Sequence, residues 1–137
     1  MIDQHLSDSY RAASYIVDAP DGPITIRVDQ PNAGLDELLS ASGVTEWAFV
    51  TAWNPGSMHL PPAENQRNNS DLLERATSQG YTALTGIGVG DDGEWPPEPS
   101  FLILGIPLVA AVELGRFYRQ RAIIAGSYGE APELVWC

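Results

Sequence analysis

The sequence predicts a single α/β domain of the α+β kind, with a mixed β-sheet of about five to seven strands covered by about three helices. Short β-branched and apolar runs alternate with helical segments along the whole chain. Glycine and proline punctuate nearly every junction between them. At 137 residues the chain suits one domain, 1–137, long enough to bury a core without disulfides or metal.

Residues 1–9 are polar and predict a loosely ordered N-terminus. Ser14 to Asp18 and Ile24 to Val28 are strand-like, and the turn signal Asp21-Gly22-Pro23 joins them as a hairpin. Leu35 to Ser42 reads as a short helix stopped by Gly43. Glu46 to Ala52 has the unbroken apolar character of a buried strand, cut off by Asn54-Pro55-Gly56-Ser57. Pro62 to Gln79 is a helix, with a proline suited to its first turn and Gly80 to its end. Tyr81 to Gly88 and Ser100 to Ile106 are strands, separated by the proline-rich loop Asp91 to Pro99. A helix opens at Pro107 and runs to about Arg119. Gln120 to Gly126 is another buried strand, and Glu133 to Trp136 a final short one. The run Gly86-Ile87-Gly88-Val89-Gly90 shares only its glycines with a dinucleotide loop, because no helix follows it. It reads as a strand end and turn.

Composition narrows the function. Against 18 acidic residues stand seven arginines and no lysine, for a formal net charge of −11. Such a surface repels phosphate, so neither nucleic acid nor an anionic membrane is an expected partner. Without lysine there is no P-loop and no lysine Schiff base. Cys137 is the only cysteine, and His5 and His59 are far apart in sequence. No metal site and no cofactor are therefore expected. No apolar run approaches the roughly 18 residues of a membrane span, and the N-terminus lacks a secretory pattern, so a cytoplasmic location is expected.

Chemistry concentrates where the buried strand ends. Ligands of open α/β sheets bind beyond the carboxyl ends of strands. Here a strand delivers Thr51, Trp53, Asn54 and Ser57 onto a tight turn. Trp53 is the expected apolar wall. Asn54 either contacts a ligand as donor and acceptor or makes an Asx-turn before Pro55. On the next helix, Leu72, Leu73 and Ala76 mark the apolar face, and Asn65 and Asn69 continue it at helical spacing. Glu64, Arg67 and Asp71 fall toward solvent. Two amides in a core-facing stripe need partners. They either line a cavity or hold the neighbouring turn. Glu98, flanked by Pro97 and Pro99, is the candidate catalytic acid or base, with Glu94 and Trp95 nearby in the same loop. Gln120 either faces the sheet end or caps the preceding helix.

These residues carry a resemblance. Thr51-Ala52-Trp53-Asn54-Pro55 with Ser57, Glu64-Asn65 with Asn69 and Leu72, Glu98-Pro99-Ser100-Phe101-Leu102, and Gln120 with Ala122 resemble the bacterial domain-of-unknown-function family 3293. The likeness spans about residues 10 to 127, nearly the whole chain. The family pattern has arginine immediately before the second helix asparagine, where this chain has Asn68. The resemblance implies a small bacterial protein and supplies no reaction. The Asn54-Pro55-Gly56 turn is also similar to the active-site turn of mismatch-type uracil-DNA glycosylases, but their His-Pro-Ser segment has no counterpart here.

Two functional readings follow. In one, a pocket at the strand ends binds a small polar molecule through Thr51, Asn54, Ser57, Asn65, Asn69 and Gln120, with Glu98 performing hydrolase-like chemistry. In the other, the chain is a noncatalytic interaction or regulatory module, and the same polar groups only knit turn to helix. Trp47, Trp53, Trp95 and Trp136 are then core or contact surface. An open cavity favours the first reading, a closed hydrogen-bond network the second.

Overall fold

A computed structural model describes residues 4–91 and 96–137. The elements in chain order are α1 (Gln4–Ala12), β1 (Ser14–Ala19), β2 (Gly22–Ile26), α2 (Ala33–Ser42), β3 (Glu46–Val50), α3 (Pro62–Ser78), β4 (Thr82–Val89), β5 (Glu98–Leu104), α4 (Leu108–Phe117), β6 (Ala122–Ser127) and β7 (Glu133–Trp136). A single turn of 3₁₀ helix, Pro55–Ser57, follows β3. The N-terminal segment expected to be loose is helix α1 from Gln4 onward.

The strands form one sheet in the order β2-β1-β4-β5-β3-β6-β7. The α+β class stands, but the sheet is not mixed: every pairing is antiparallel. The connections explain this. β4 and β5 pair directly, which inserts β5 between β3 and β4. The crossover through α3 therefore skips β5, and the crossover through α4 skips β3. Strands of one direction are never neighbours. The sheet also curls, and Asp29 N–H just beyond β2 reaches Pro132 C=O just before β7 at 2.8 Å.

Each face of the sheet carries its own core. On one face Leu72 and Ala76 of α3 and Ala111 and Leu114 of α4 cover Ala48, Val50, Phe101, Ile103, Ile123 and Ala125. On the other face Leu35 and Leu39 of α2 pack on Val17, Trp47, Phe49, Leu102, Leu104 and Ile124. The alternation along β3, β5 and β6 is the period-two pattern of strands buried on both faces. α2 starts at Asn32, whose side chain accepts the Leu35 N–H, and ends at Gly43 with φ 72°, the left-handed conformation glycine adopts without penalty.

Candidate functional site

The antiparallel order gathers chain ends at one edge of the sheet. β3 and β4 finish there, while β1, β5 and β6 begin there. A cavity of about 520 Å³ opens at this edge, roofed by α1. Tyr15, Phe49, Ala122 and Ile124 form its apolar part, and Gly88 lies between them on β4. Thr51, Asn54, Ser57, Glu98 and Gln120 all line it. Asn65, Asn69 and Trp53 do not. Glu94 and Trp95 lie outside the described residues.

Asn65 and Asn69 face inward, as their helical phase requires, and Glu64, Arg67 and Asp71 are exposed. Both asparagines, expected as ligand-binding groups, hydrogen-bond the strand-end turn and its surroundings, and neither lines the cavity. Asn69 Oδ1 accepts the Ala52 N–H at 2.8 Å, and its Nδ2 donates to Pro99 C=O at 2.9 Å. Asn65 Oδ1 accepts the Asn54 N–H at 2.8 Å, and its Nδ2 donates to Asn54 Oδ1 at 2.8 Å and Leu60 C=O at 3.3 Å. The physical reason is burial. The strand-end backbone has left the sheet ladder, and its N–H groups need acceptors where water does not reach.

Trp53, expected as the apolar wall, is not among the residues that line the cavity. Thr51 Oγ1 accepts the Trp53 N–H at 3.0 Å and donates to Pro99 C=O at 2.7 Å. That local bond turns the chain after Thr51 and ends the strand alternation that Trp53 would have continued. The aromatic wall comes instead from Tyr15 and Phe49, whose rings meet edge to face at 5.4 Å. Gln120 donates to Trp53 C=O at 3.2 Å and Tyr118 C=O at 3.3 Å, tying the turn to the start of β6.

The turn itself is strained. Among the described non-glycine residues, positive φ occurs at Asn54, Ser57 and Arg119, and elsewhere only at Asp29. The first three meet, since Gly56 N–H donates to Arg119 C=O at 2.8 Å. Left-handed backbone in non-glycine residues costs free energy and concentrates at working sites. Arg121, whose role the sequence did not disclose, also lines the cavity. Its Nε donates to Ser57 Oγ at 3.0 Å and its Nη2 to Gly56 C=O at 3.2 Å.

Asn54 is the polar group best placed to serve a ligand. It is buried, and its Oδ1 accepts from both Leu60 N–H, at 3.1 Å, and Asn65 Nδ2. Two donors on that atom settle the amide orientation. The Asn54 Nδ2 is thus directed away from this network, with no hydrogen-bond acceptor among the described residues, on a residue that lines the cavity.

The electrostatics of the roof follow from burial. The Tyr10 hydroxyl is pushed up to about 12, chiefly by desolvation and then by the Glu98 charge, with Arg121 opposing. Burial also raises Tyr15, with the charges of Tyr10 and Glu98 adding to it. Both phenols stay neutral, and Tyr15 Oη donates to Tyr10 C=O at 2.7 Å, tying β1 to α1. Among the described residues no group of three or more His, Cys, Asp or Glu is gathered as metal ligands would be. No helix among them is long and apolar enough to cross a membrane.

The family profile described as Protein of unknown function (DUF3293) matches residues 50–123, which run from the end of β3 to the start of β6 and include Thr51, Asn54, Asn65, Asn69, Glu98 and Gln120. No curated protein and no solved structure matches the chain. With more than half its length matched, the chain belongs to the DUF3293 family of proteins of unknown function.

Proposed function

We propose that this chain binds a small molecule at the sheet edge beneath α1, with a polar head toward Asn54 and an apolar body on Tyr15 and Phe49. The observation that carries the reading is the fixed amide of Asn54. Its Oδ1 is committed to the turn, leaving its Nδ2 as a donor beside an apolar floor. A few convergent polar groups on an apolar surface are the usual make-up of a ligand pocket. The formal charge of −11 argues against nucleic acid or an anionic membrane as the partner, and a cytoplasmic location fits the same composition.

Catalysis is a second reading, favoured by one observation: Glu98 lines the cavity, and its charge acts on both Tyr10 and Tyr15. A carboxylate there serves as general acid or base. The test is a thermal-shift screen of small polar compounds followed by amide chemical-shift mapping. Binding raises the melting temperature and moves the signals of Thr51, Asn54 and Gly88. Binding that moves only signals elsewhere defeats the reading. Glu98→Gln then separates the two roles, since it abolishes turnover of a bound compound while a purely binding protein shows none to lose.

A further inference from the structure

The glycine run on β4 has a place in this cavity. Gly86 and Gly88 sit on the face that carries Tyr15 and Phe49, with Gly88 opposite Tyr15 on one side and Glu98 on the other. The two glycines do different things. A Cβ on Gly86 would stand 2.7 Å from Ile16 C=O and 2.8 Å from Phe49 Cε2. The Phe49 ring already occupies the space above Gly86. A Cβ on Gly88 would meet only the edge of the Tyr15 ring, at 3.8 Å, and Glu98 C=O, at 3.9 Å. Gly88 lines the cavity and leaves a side-chain-free shelf there.

Two rings meeting edge to face above such a shelf form a corner. A flat ring fits it by lying on the peptide plane at Gly88 while offering its edge or face to Tyr15 and Phe49. A puckered, saturated ring of the same size is thicker and cannot approach the backbone as closely. Asn54, whose Nδ2 is a donor seeking a carbonyl-type oxygen, lines the same cavity.

Resting on the ligand-binding reading above, we infer that Gly88 is the specificity-determining residue of the pocket and admits a planar, single-ring compound bearing a carbonyl oxygen. Gly88 seats the ring, and Asn54 takes the oxygen. Glycine at this position sets the depth of the pocket rather than the path of the backbone, because its φ is one that other residues adopt.

The probes are benzamide and its saturated counterpart, cyclohexanecarboxamide, titrated against the full chain and followed by amide chemical shifts. Benzamide binds the wild type and moves the Gly88 and Asn54 signals, and cyclohexanecarboxamide binds about tenfold more weakly. Gly88→Ala lowers benzamide affinity about tenfold or more while its urea midpoint stays close to wild type. Benzamide binding that survives Gly88→Ala unchanged, or equal affinity for the two probes, overturns the role of Gly88 and leaves the pocket standing. No binding of either probe, when other compounds bind at Thr51 and Asn54, overturns the ligand class alone. No binding of any compound at this edge overturns both the class and the pocket. Should Gly88→Ala fail to fold, the wild-type shift at Gly88 and the affinity ratio of the two probes still decide.

Discussion

Asn65 and Asn54 exchange hydrogen bonds. The Asn65 carboxamide accepts the Asn54 N–H at 2.8 Å and returns a bond from its Nδ2 to the Asn54 Oδ1, also at 2.8 Å. One side chain of α3 thereby clamps both the backbone and the side chain of the strained residue that follows β3. Asn65 is almost fully buried, at 1% exposure, so water replaces none of these bonds. Asn65→Ala leaves the Asn54 N–H and Leu60 C=O without these partners and opens a small cavity. The expected loss is about 2–4 kcal/mol in urea unfolding with an unchanged slope. A loss well under about 1 kcal/mol shows that the clamp does not hold the turn.

The glycines of β4 predict a contrast between neighbours. Gly86→Ala forces a Cβ against backbone at Ile16 and against the Phe49 ring, neither of which moves freely. Overpacking of this kind costs about 1–3 kcal/mol. Gly88→Ala meets only ordinary contact distances. Its stability stays within about 1 kcal/mol of wild type, because alanine also restricts the unfolded chain more than glycine does. Equal destabilisation by the two substitutions, measured side by side in urea, contradicts the assignment of Gly88 as open shelf.

Much of this arrangement was legible in the residues. Leu72 and Ala76 set the phase of α3, and that phase puts Asn65 and Asn69 inside. The pattern could not say what their amides would find. Burial in a core-facing stripe demands partners, and backbone N–H groups at a strand end satisfy that demand as well as a ligand would. Strand direction was equally hidden. Alternating helices and apolar strands suit a parallel or an antiparallel sheet, and the insertion of β5 between β3 and β4 is a long-range pairing with no local signature. The roof was missed because α1 is mostly polar. Its signal is the spacing of Leu6, Tyr10 and Ala13, which places one apolar stripe over the sheet edge. Arg121 carried no pattern of its own, and only the fold brings it beside Ser57.

Alkaline pH should loosen the roof of the cavity. Tyr10 ionises at about 10 when unfolded and is raised to about 12 in the fold, first by burial and then by Glu98. The folded state therefore holds its proton more tightly, and ∂ΔG/∂pH is negative between those values. The contribution is complete below pH 10 and disappears as pH rises through 12. Tyr15 acts in the same direction. The urea midpoint should fall over this range, and Tyr10→Phe should make the fall shallower. Absorbance titration of tyrosinate should show one late-ionising group fewer in that variant. An identical alkaline profile for the two proteins counts against a half-buried, neutral Tyr10.

Asn54→Asp separates the scaffold from the ligand site. Asparagine here does two jobs with two atoms. Oδ1 holds Leu60 N–H and Asn65 Nδ2, whereas Nδ2 is the donor available to the cavity. Aspartate keeps the first atom and replaces the second with an acceptor. It also tolerates the left-handed conformation observed at φ 46° better than most residues do. The new charge accepts two hydrogen bonds, and both Arg121 and the cavity opening lie on the same pocket. Folding should therefore lose no more than about 1–2 kcal/mol. Binding of a carbonyl-bearing compound should weaken by at least about tenfold, because a donor has become an anionic acceptor facing the partially negative oxygen of the ligand. Asn54→Ala gives the opposite signature. It removes the acceptor that holds the turn, so stability falls further than in Asn54→Asp. If both variants bind compounds as the wild type does, the amide of Asn54 is a structural clamp alone, and the polar head of the ligand belongs elsewhere on the cavity wall.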